Sequence, residues 1–157
     1  VTPAINLAKK AKIAFKVHEY THDPDNAAYG LEAAEKLGLP PTQVFKTLVV
    51  NLDGKELAVG IVPVAAMLSM KHLAKAAHAK KADMADKALV ARTTGYVLGG
   101  VSPLGQKKLL KTFIDESALQ FSTIYVSAGR RGLEIELAPQ DLQSLTRAVF
   151  TPLIHTE

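Results

Sequence analysis

The chain has 157 residues with neither cysteine nor tryptophan. That fits one domain over residues 1–157 and excludes disulfides, thiolate metal sites and a cysteine nucleophile. Its 19 Lys and Arg against 15 Asp and Glu leave a formal charge of +4, a mild excess that is compatible with a polyanionic partner without defining one.

No apolar run approaches the ~20 residues of a membrane-spanning helix. Val1-Thr2-Pro3 lacks the charged start and long apolar stretch of a signal peptide, so a cytoplasmic protein away from membranes is expected. Thr2-Pro3 reads as a helix start, a capping hydroxyl followed by proline at the first helical position. Ala4, Leu7, Ala8 and Ala11 then repeat at helical spacing, and Lys9, Lys10 and Lys12 suit the helix end. Ala14 to Tyr20 alternates as a half-exposed strand, with Phe15 and Val17 on one face and Lys16, His18 and Tyr20 on the other. Residues 21–26 form a loop by composition. His18 and His22 are four apart, but that spacing gathers metal ligands only on a helix, so no metal is expected.

Leu31 to Leu37 is a short helix closed by Gly38, and Pro40-Pro41 enforces the break. Val44-Phe45-Lys46-Thr47-Leu48-Val49-Val50 is the central strand. Phe45, Thr47 and Val49 share one face; Val44, Lys46, Leu48 and Val50 share the other. Both faces are mostly apolar, so layers should cover both. Lys46 then has to reach water from a strand end, find an anion, or lose basicity at the mouth of a pocket. Asp53-Gly54 is a hairpin turn, returning Leu57 to Val62 as a second strand.

Ser69 caps a helix with Met70, Leu73, Ala74 and Ala77 inward and a basic outer face. A further short helix is expected over Ala82 to Ala91. Residues 93–105 hold four glycines and a proline in a largely apolar run. The glycine spacing fits neither a Walker loop nor a dinucleotide fingerprint. The segment is either a wall presenting amide donors to a carbonyl or phosphate, or a tightly packed turn. Lys107 and Lys108 follow. Strands are expected at Thr112–Ile114, Phe121–Ser127 and Leu133–Leu137, with a helical turn at Glu116–Leu119. Arg130 and Arg131 fall at the tip of the last connection, where exposed arginines favour phosphate contact or simple solvation. A final helix starts near Pro139, with Leu142, Leu145, Ala148 and Val149 inward.

The order of elements predicts an α+β fold with a mixed, strongly curved or barrel-like β-sheet surrounded by helices. Neither Ser102 nor Ser127 sits in a nucleophile elbow or near an obvious histidine, and paired catalytic carboxylates are unsupported. A lysine on a buried face, a glycine-rich wall and basic patches suit the orientation of an anionic or ester-containing substrate.

Several segments carry a family resemblance. They are Thr2-Pro3-Ala4, His22-Asp23-Pro24, Phe45-Lys46-Thr47-Leu48, Thr94-Gly95-Tyr96, Gly99 through Lys108, Tyr125-Val126-Ser127 and Arg131-Gly132-Leu133. Together the chain resembles the YbaK group of the YbaK/EbsC family, similar to the editing domain of bacterial prolyl-tRNA synthetases. Ala128 stands where a second glycine before Gly129 is expected, a methyl that could narrow a loop near the site. The resemblance implies a free-standing deacylase that uses no cofactor and no metal, and a monomer is expected. It would hydrolyse cysteinyl-tRNA formed in error on the proline tRNA, alongside prolyl-tRNA synthetase, with the substrate's own thiol attacking the ester.

By position Lys46 corresponds to the essential lysine, with Tyr20 and Ser127 as further catalytic positions that orient the substrate. Thr47, Gly99, Gly100, Ser102 and Gly129 form the substrate-binding set, with the Gly99-Gly100 amides toward the carbonyl oxygen. Lys107, Lys108, Arg130 and Arg131 are the candidate contacts to tRNA phosphates. A deacylase of the same fold acting on another mischarged tRNA, such as alanyl-tRNA, and a non-catalytic tRNA- or synthetase-binding module are the two alternatives.

Overall fold

Thr2 opens the first helix, α1 (Pro3–Ala11), as its sequence dictates. The Thr2 hydroxyl accepts the Ile5 amide at 3.2 Å and donates to the Ala128 carbonyl, fastening the helix start to a distant strand. The structure is a computed structural model and describes residues 1–155. In chain order there follow β1 (Phe15–Glu19), α2 (Tyr29–Leu37), β2 (Phe45–Leu52), β3 (Glu56–Pro63), α3 (Met70–Ala76), β4 (Ala82–Met84) and α4 (Lys87–Thr94). The chain continues through β5 (Lys111–Asp115), a 3-10 turn (Glu116–Gln120), β6 (Ile124–Arg130), β7 (Leu133–Leu137), α5 (Pro139–Thr146) and β8 (Val149–Thr151).

The strands form two sheets. One is antiparallel, in the order β1-β7-β6; the other has five strands, in the order β4-β2-β3-β5-β8. Within the second, β2 pairs antiparallel with β3 and β4, whereas β3–β5 and β5–β8 are parallel. The class is therefore α+β with a mixed sheet, as expected, but the sheets stay open and do not close into a barrel. A parallel bridge between Val44 and Tyr125 and the bond from the Tyr125 amide to the Gln43 carbonyl (3.2 Å) stitch the two sheets at one corner.

The alternation of β2 explains the layering. Phe45 and Val49 enter a core shared with α1 and with Ile124, Val126, Ile135 and Leu137 of the smaller sheet. Val50 and Leu52 enter a second core against α3. Ala33 and Ala34 of α2 close over Val44, Val64 and Tyr125 as a third. At the β2–β3 turn Asp53 and Gly54 both take left-handed backbone angles (φ 55° and 69°), the geometry that matches strand twist.

Three expectations are corrected. The segment from Ala82 is a short edge strand before it is a helix; Asp86, whose carboxylate accepts the Leu89 amide at 3.1 Å, starts α4 only at Lys87. The strand expected from Phe121 begins at Ile124. The last helix stops at Thr146, because Arg147 turns left-handed (φ 57°), and Val149 is an exposed residue of β8 rather than an inward helical one.

Candidate active site

The smaller sheet has two unlike faces. Ile124, Val126 and Ala128 of β6 and Leu133, Ile135 and Leu137 of β7 point into the main core. The alternate positions are polar: Tyr125 and Ser127, Glu134 and Glu136, and His18 followed by Tyr20. Where this polar face meets the start of β2, a cavity of about 330 Å³ opens, in the size range of small-ligand sites. Tyr20, Lys46, Thr47, Ser127 and Glu134 line it, together with residues 27–31 from the start of α2 and Leu98, Gly99 and Val101 from the glycine-rich segment.

Lys46 stands in this wall half-buried. Burial lowers its affinity for its proton, and among the described residues no carboxylate pairs with it. Thr47 also lines the cavity, but its hydroxyl is buried and has no hydrogen-bond partner among the described residues. Ser127 accepts the Gly129 amide at 3.2 Å through Oγ, which leaves its hydroxyl proton for another acceptor. Tyr20 is held by its backbone amide on the Gly132 carbonyl (2.9 Å). Burial, and then the nearby Glu134, push its phenol upward and keep it protonated.

The roof over Lys46 depends on Gly30. A Cβ there would lie 2.4 Å from Cγ1 of Val64, just past β3, so a larger residue would push Val64 or the first turn of α2 aside. Tyr29, beside it, stacks under the Arg131 guanidinium, whose carbon lies 4.3 Å from the ring centroid. Arg131 also donates to the carbonyls of Asp23 and Asn26 and to Oε1 of Glu32, so it clamps the loop before α2. Its side chain is 16% exposed. It is therefore not the exposed loop-tip charge expected from sequence, because the buried Glu32 carboxylate of α2 draws it inward. Arg130, the exposed partner of the pair, has its backbone against Gly100.

The structure thus gathers five of the expected site residues, Tyr20, Lys46, Thr47, Gly99 and Ser127, around one space. It places three others behind the wall. The Gly100 amide does not face the cavity as a free donor; it closes a turn on the Val97 carbonyl at 2.9 Å, and a Cβ at Gly100 would meet the Arg130 Cα at 2.7 Å. Ser102 is fully buried, its Oγ accepting the Leu104 amide at 3.2 Å. Gly129 turns the chain at φ +112° beneath Tyr96. Tyr96 itself donates to the Leu104 carbonyl at 2.6 Å and folds the glycine-rich segment on itself; burial pushes its phenol up to about 12. The segment is both of the things its sequence allowed: a tight turn at Gly100 and a cavity wall at Gly99.

Ala128 points into the main core, away from the cavity, so its methyl does not narrow the site. Lys107 and Lys108 are exposed and lie off the cavity. The Lys107 methylenes cover Gly95, and Lys108 lines a second cleft of about 400 Å³ with Lys55 and Lys111. His18 binds Glu136 at 2.9 Å, and no group of three metal-ligating side chains converges among the described residues. The residue that sequence reasoning passed over is Glu134. Its position in the alternating Leu133–Leu137 strand was the available signal, because register puts it opposite Ser127.

With this geometry in place, the comparisons fix the class. Residues 25–145 match the aminoacyl-tRNA editing domain, and the chain belongs to that family. Over 156 residues it is 38% identical to a protein of Enterococcus faecalis named "Putative Cys-tRNA(Pro)/Cys-tRNA(Cys) deacylase EbsC", covering 99% of this chain and 94% of that one. It is 27% identical over 115 residues to YwhH of Bacillus subtilis, 73% of each chain. In fold it is similar to a solved structure described as a "putative trans-editing enzyme for prolyl tRNA synthetase", with TM-score 0.83, 22% identity and 99% of both chains covered. The family resemblance carried by the sequence motifs is thereby shown, and with it a role in aminoacyl-tRNA editing.

Proposed function

We propose that this chain is a trans-editing deacylase that clears cysteine from the proline tRNA. It would work in the cytoplasm as a monomer beside prolyl-tRNA synthetase, and take its nucleophile from the substrate. The observation that carries this reading is Lys46: a half-buried cation in the wall of the cavity, beside Tyr20 and Ser127, with no ion-pair partner among the described residues. Unmatched polar groups in a concave site are complemented by a ligand. An oxygen-rich aminoacyl ester on a terminal adenosine supplies that complement. The similarity to the Enterococcus protein supports cysteine as the amino acid.

In this reading Lys46 faces the ribose or phosphate oxygens and the negative charge that grows on the carbonyl oxygen. Tyr20 and Ser127 each donate a hydrogen bond, Tyr20 because burial keeps its phenol protonated, Ser127 because Gly129 already occupies its acceptor side. The substrate thiolate attacks its own carbonyl carbon. A C–S bond forms, the C–O bond to ribose breaks, and the ribose oxygen takes a proton. Water then opens the released thiolactone to cysteine. Holding thiol and carbonyl together lowers the barrier by several kcal/mol, on the order of 7 for well-oriented groups.

The test is the Lys46→Ala variant. Its circular dichroism should match that of the parent while deacylation of cysteinyl-tRNA(Pro) falls by at least about 100-fold, the loss typical when a transition-state donor is removed. Full activity in a folded Lys46→Ala protein would remove Lys46 from the mechanism.

A further inference from the structure

β7 presents two carboxyl groups on its polar face, two residues apart, and their surroundings differ. Glu136 accepts the Thr123 hydroxyl at 2.6 Å and meets His18 Nε2 at 2.9 Å, and together these lower its pKa. Glu32, the third carboxyl near this face, accepts the Asp23 amide at 2.7 Å and pairs with Arg131 and Lys36, with the same effect. Glu134 is 7% exposed and lines the cavity. Among the described residues no arginine, lysine, histidine or amide engages its carboxyl; burial is the sole influence on it and pushes its pKa up to about 8.

An isolated buried carboxyl is costly relative to one in water. Glu32 and Glu136 show how this chain offsets that cost elsewhere. Glu134 instead lines the cavity, where a ligand cation can take the place of the missing donors. Lys46 stands in the same wall, and among the described residues the two form no ion pair. The cavity is therefore polarised, with an anion-seeking group and a cation-seeking group on separate parts of its lining. A cysteinyl ester on adenosine has a matching polarity. Its ester, ribose and phosphate oxygens suit Lys46, and its single cationic group is the α-ammonium.

We infer that Glu134 receives the α-ammonium of the aminoacyl group, so that the site selects esters with a free amino terminus and rejects those whose α-nitrogen is blocked or replaced. The inference rests on the aminoacyl-ester reading of the cavity. It makes Glu134 a specificity residue and gives the substrate one orientation, with the amino end toward β7 and the nucleotide end toward β2.

The test is binding, independent of turnover. The full chain is titrated calorimetrically with an uncleavable amide, 3′-cysteinylamino-3′-deoxyadenosine, and with its α-hydroxy counterpart, which has nearly the same shape but no ammonium. The parent should bind the amino compound about 10–100-fold more tightly, the range for a charge-assisted hydrogen bond. In Glu134→Gln, a change that keeps volume, that ratio should collapse toward one through weaker binding of the amino compound alone. Equal affinities in the parent, an unchanged ratio in Glu134→Gln, or no binding of either compound would overturn the inference. Cleavage of cysteinyl-tRNA by the parent is scored separately. Deacylation with no preference for the amino compound would discard Glu134's role and leave the editing reading intact. A preference without deacylation would do the reverse.

Discussion

Arg131 and Glu32 form the ion pair that holds the cavity roof. Nη2 of Arg131 lies 3.2 Å from Oε1 of a carboxylate whose side chain is 0% exposed, although the two residues are 99 positions apart. Because the same guanidinium binds the Asp23 and Asn26 carbonyls and covers Tyr29, it links the β6–β7 turn to the segment that supplies residues 27–29 of the wall. Arg131→Ala leaves a buried carboxylate short of its arginine partner, and its expected cost is about 3 kcal/mol in urea denaturation. Glu32 has a pKa held below its ordinary value of 4.5 by the Asp23 amide, Arg131 and Lys36. Its contribution is thus present above pH 4.5 and is lost as pH falls through the lower folded value. The deficit of Arg131→Ala should accordingly be larger at pH 7 than at pH 3.

Glu134 has the opposite sign. Its carboxyl ionises near pH 4.5 in the unfolded chain and near 8 in the folded one. Between those values the folded state binds the extra proton, so stability attributable to this group falls as pH rises, and levels off above about 8. Glu134→Gln should therefore be no more than slightly altered at pH 4.5 and stabilised by a few kcal/mol at pH 8, on the scale of ~1.4 kcal/mol per pKa unit. Thermal denaturation at the two pH values checks this. A variant that loses stability at pH 8 would show that the carboxyl is engaged by a protein donor. A gain coupled to weaker ligand binding is the trade expected of a site residue.

Gly100 bears on activity through its neighbour rather than through its amide. With only 2.7 Å available between a Cβ and the Arg130 Cα, Gly100→Ala must separate the glycine-rich segment from β6. A destabilisation of about 1–3 kcal/mol is expected, the usual cost of overpacking. Movement of Gly99 and Leu98 out of the wall should also raise KM. Unchanged thermal stability would mean the two backbones are not in contact.

Exposed Lys107, Lys108 and Arg130 remain the candidate phosphate contacts. Each one that neutralises a phosphate should add close to one unit to the salt slope of tRNA binding, ~0.7–0.9 per contact. Replacing Lys108 or Arg130 by Ala should shallow the slope by that amount and weaken binding across tRNA sequences alike. A slope unaffected by both substitutions would place the tRNA elsewhere.

Local pattern made much of this architecture legible. The Thr2-Pro3 cap, the Asp53-Gly54 turn and the two-sided β2 follow from neighbours in sequence, and all are found. Ala82–Met84 read as helix because a three-residue edge strand is too short to show alternation; its partner β2 creates it. Lys46 stood out because a charge on an apolar strand conflicts with its surroundings. Glu134 did not, because alternation of glutamate in a strand ordinarily means a solvated face. Only α2 and β2, closing over that face from 80 or more positions earlier in the sequence, make the carboxyl buried. Arg131 misled for the same reason in reverse: its partner Glu32 lies in another element and cannot be seen from the loop.

The central claim, that the substrate brings its own nucleophile to the Lys46 cavity, is tested most directly by single-turnover deacylation of cysteinyl- and seryl-tRNA(Pro) side by side. The two esters differ in one atom, sulfur for oxygen, and only the thiol forms an appreciable anion near neutral pH. Rapid loss of the cysteinyl ester with slow loss of the seryl ester is the predicted result. Equal rates for the two would contradict thiol assistance and require that water or a protein group be the nucleophile.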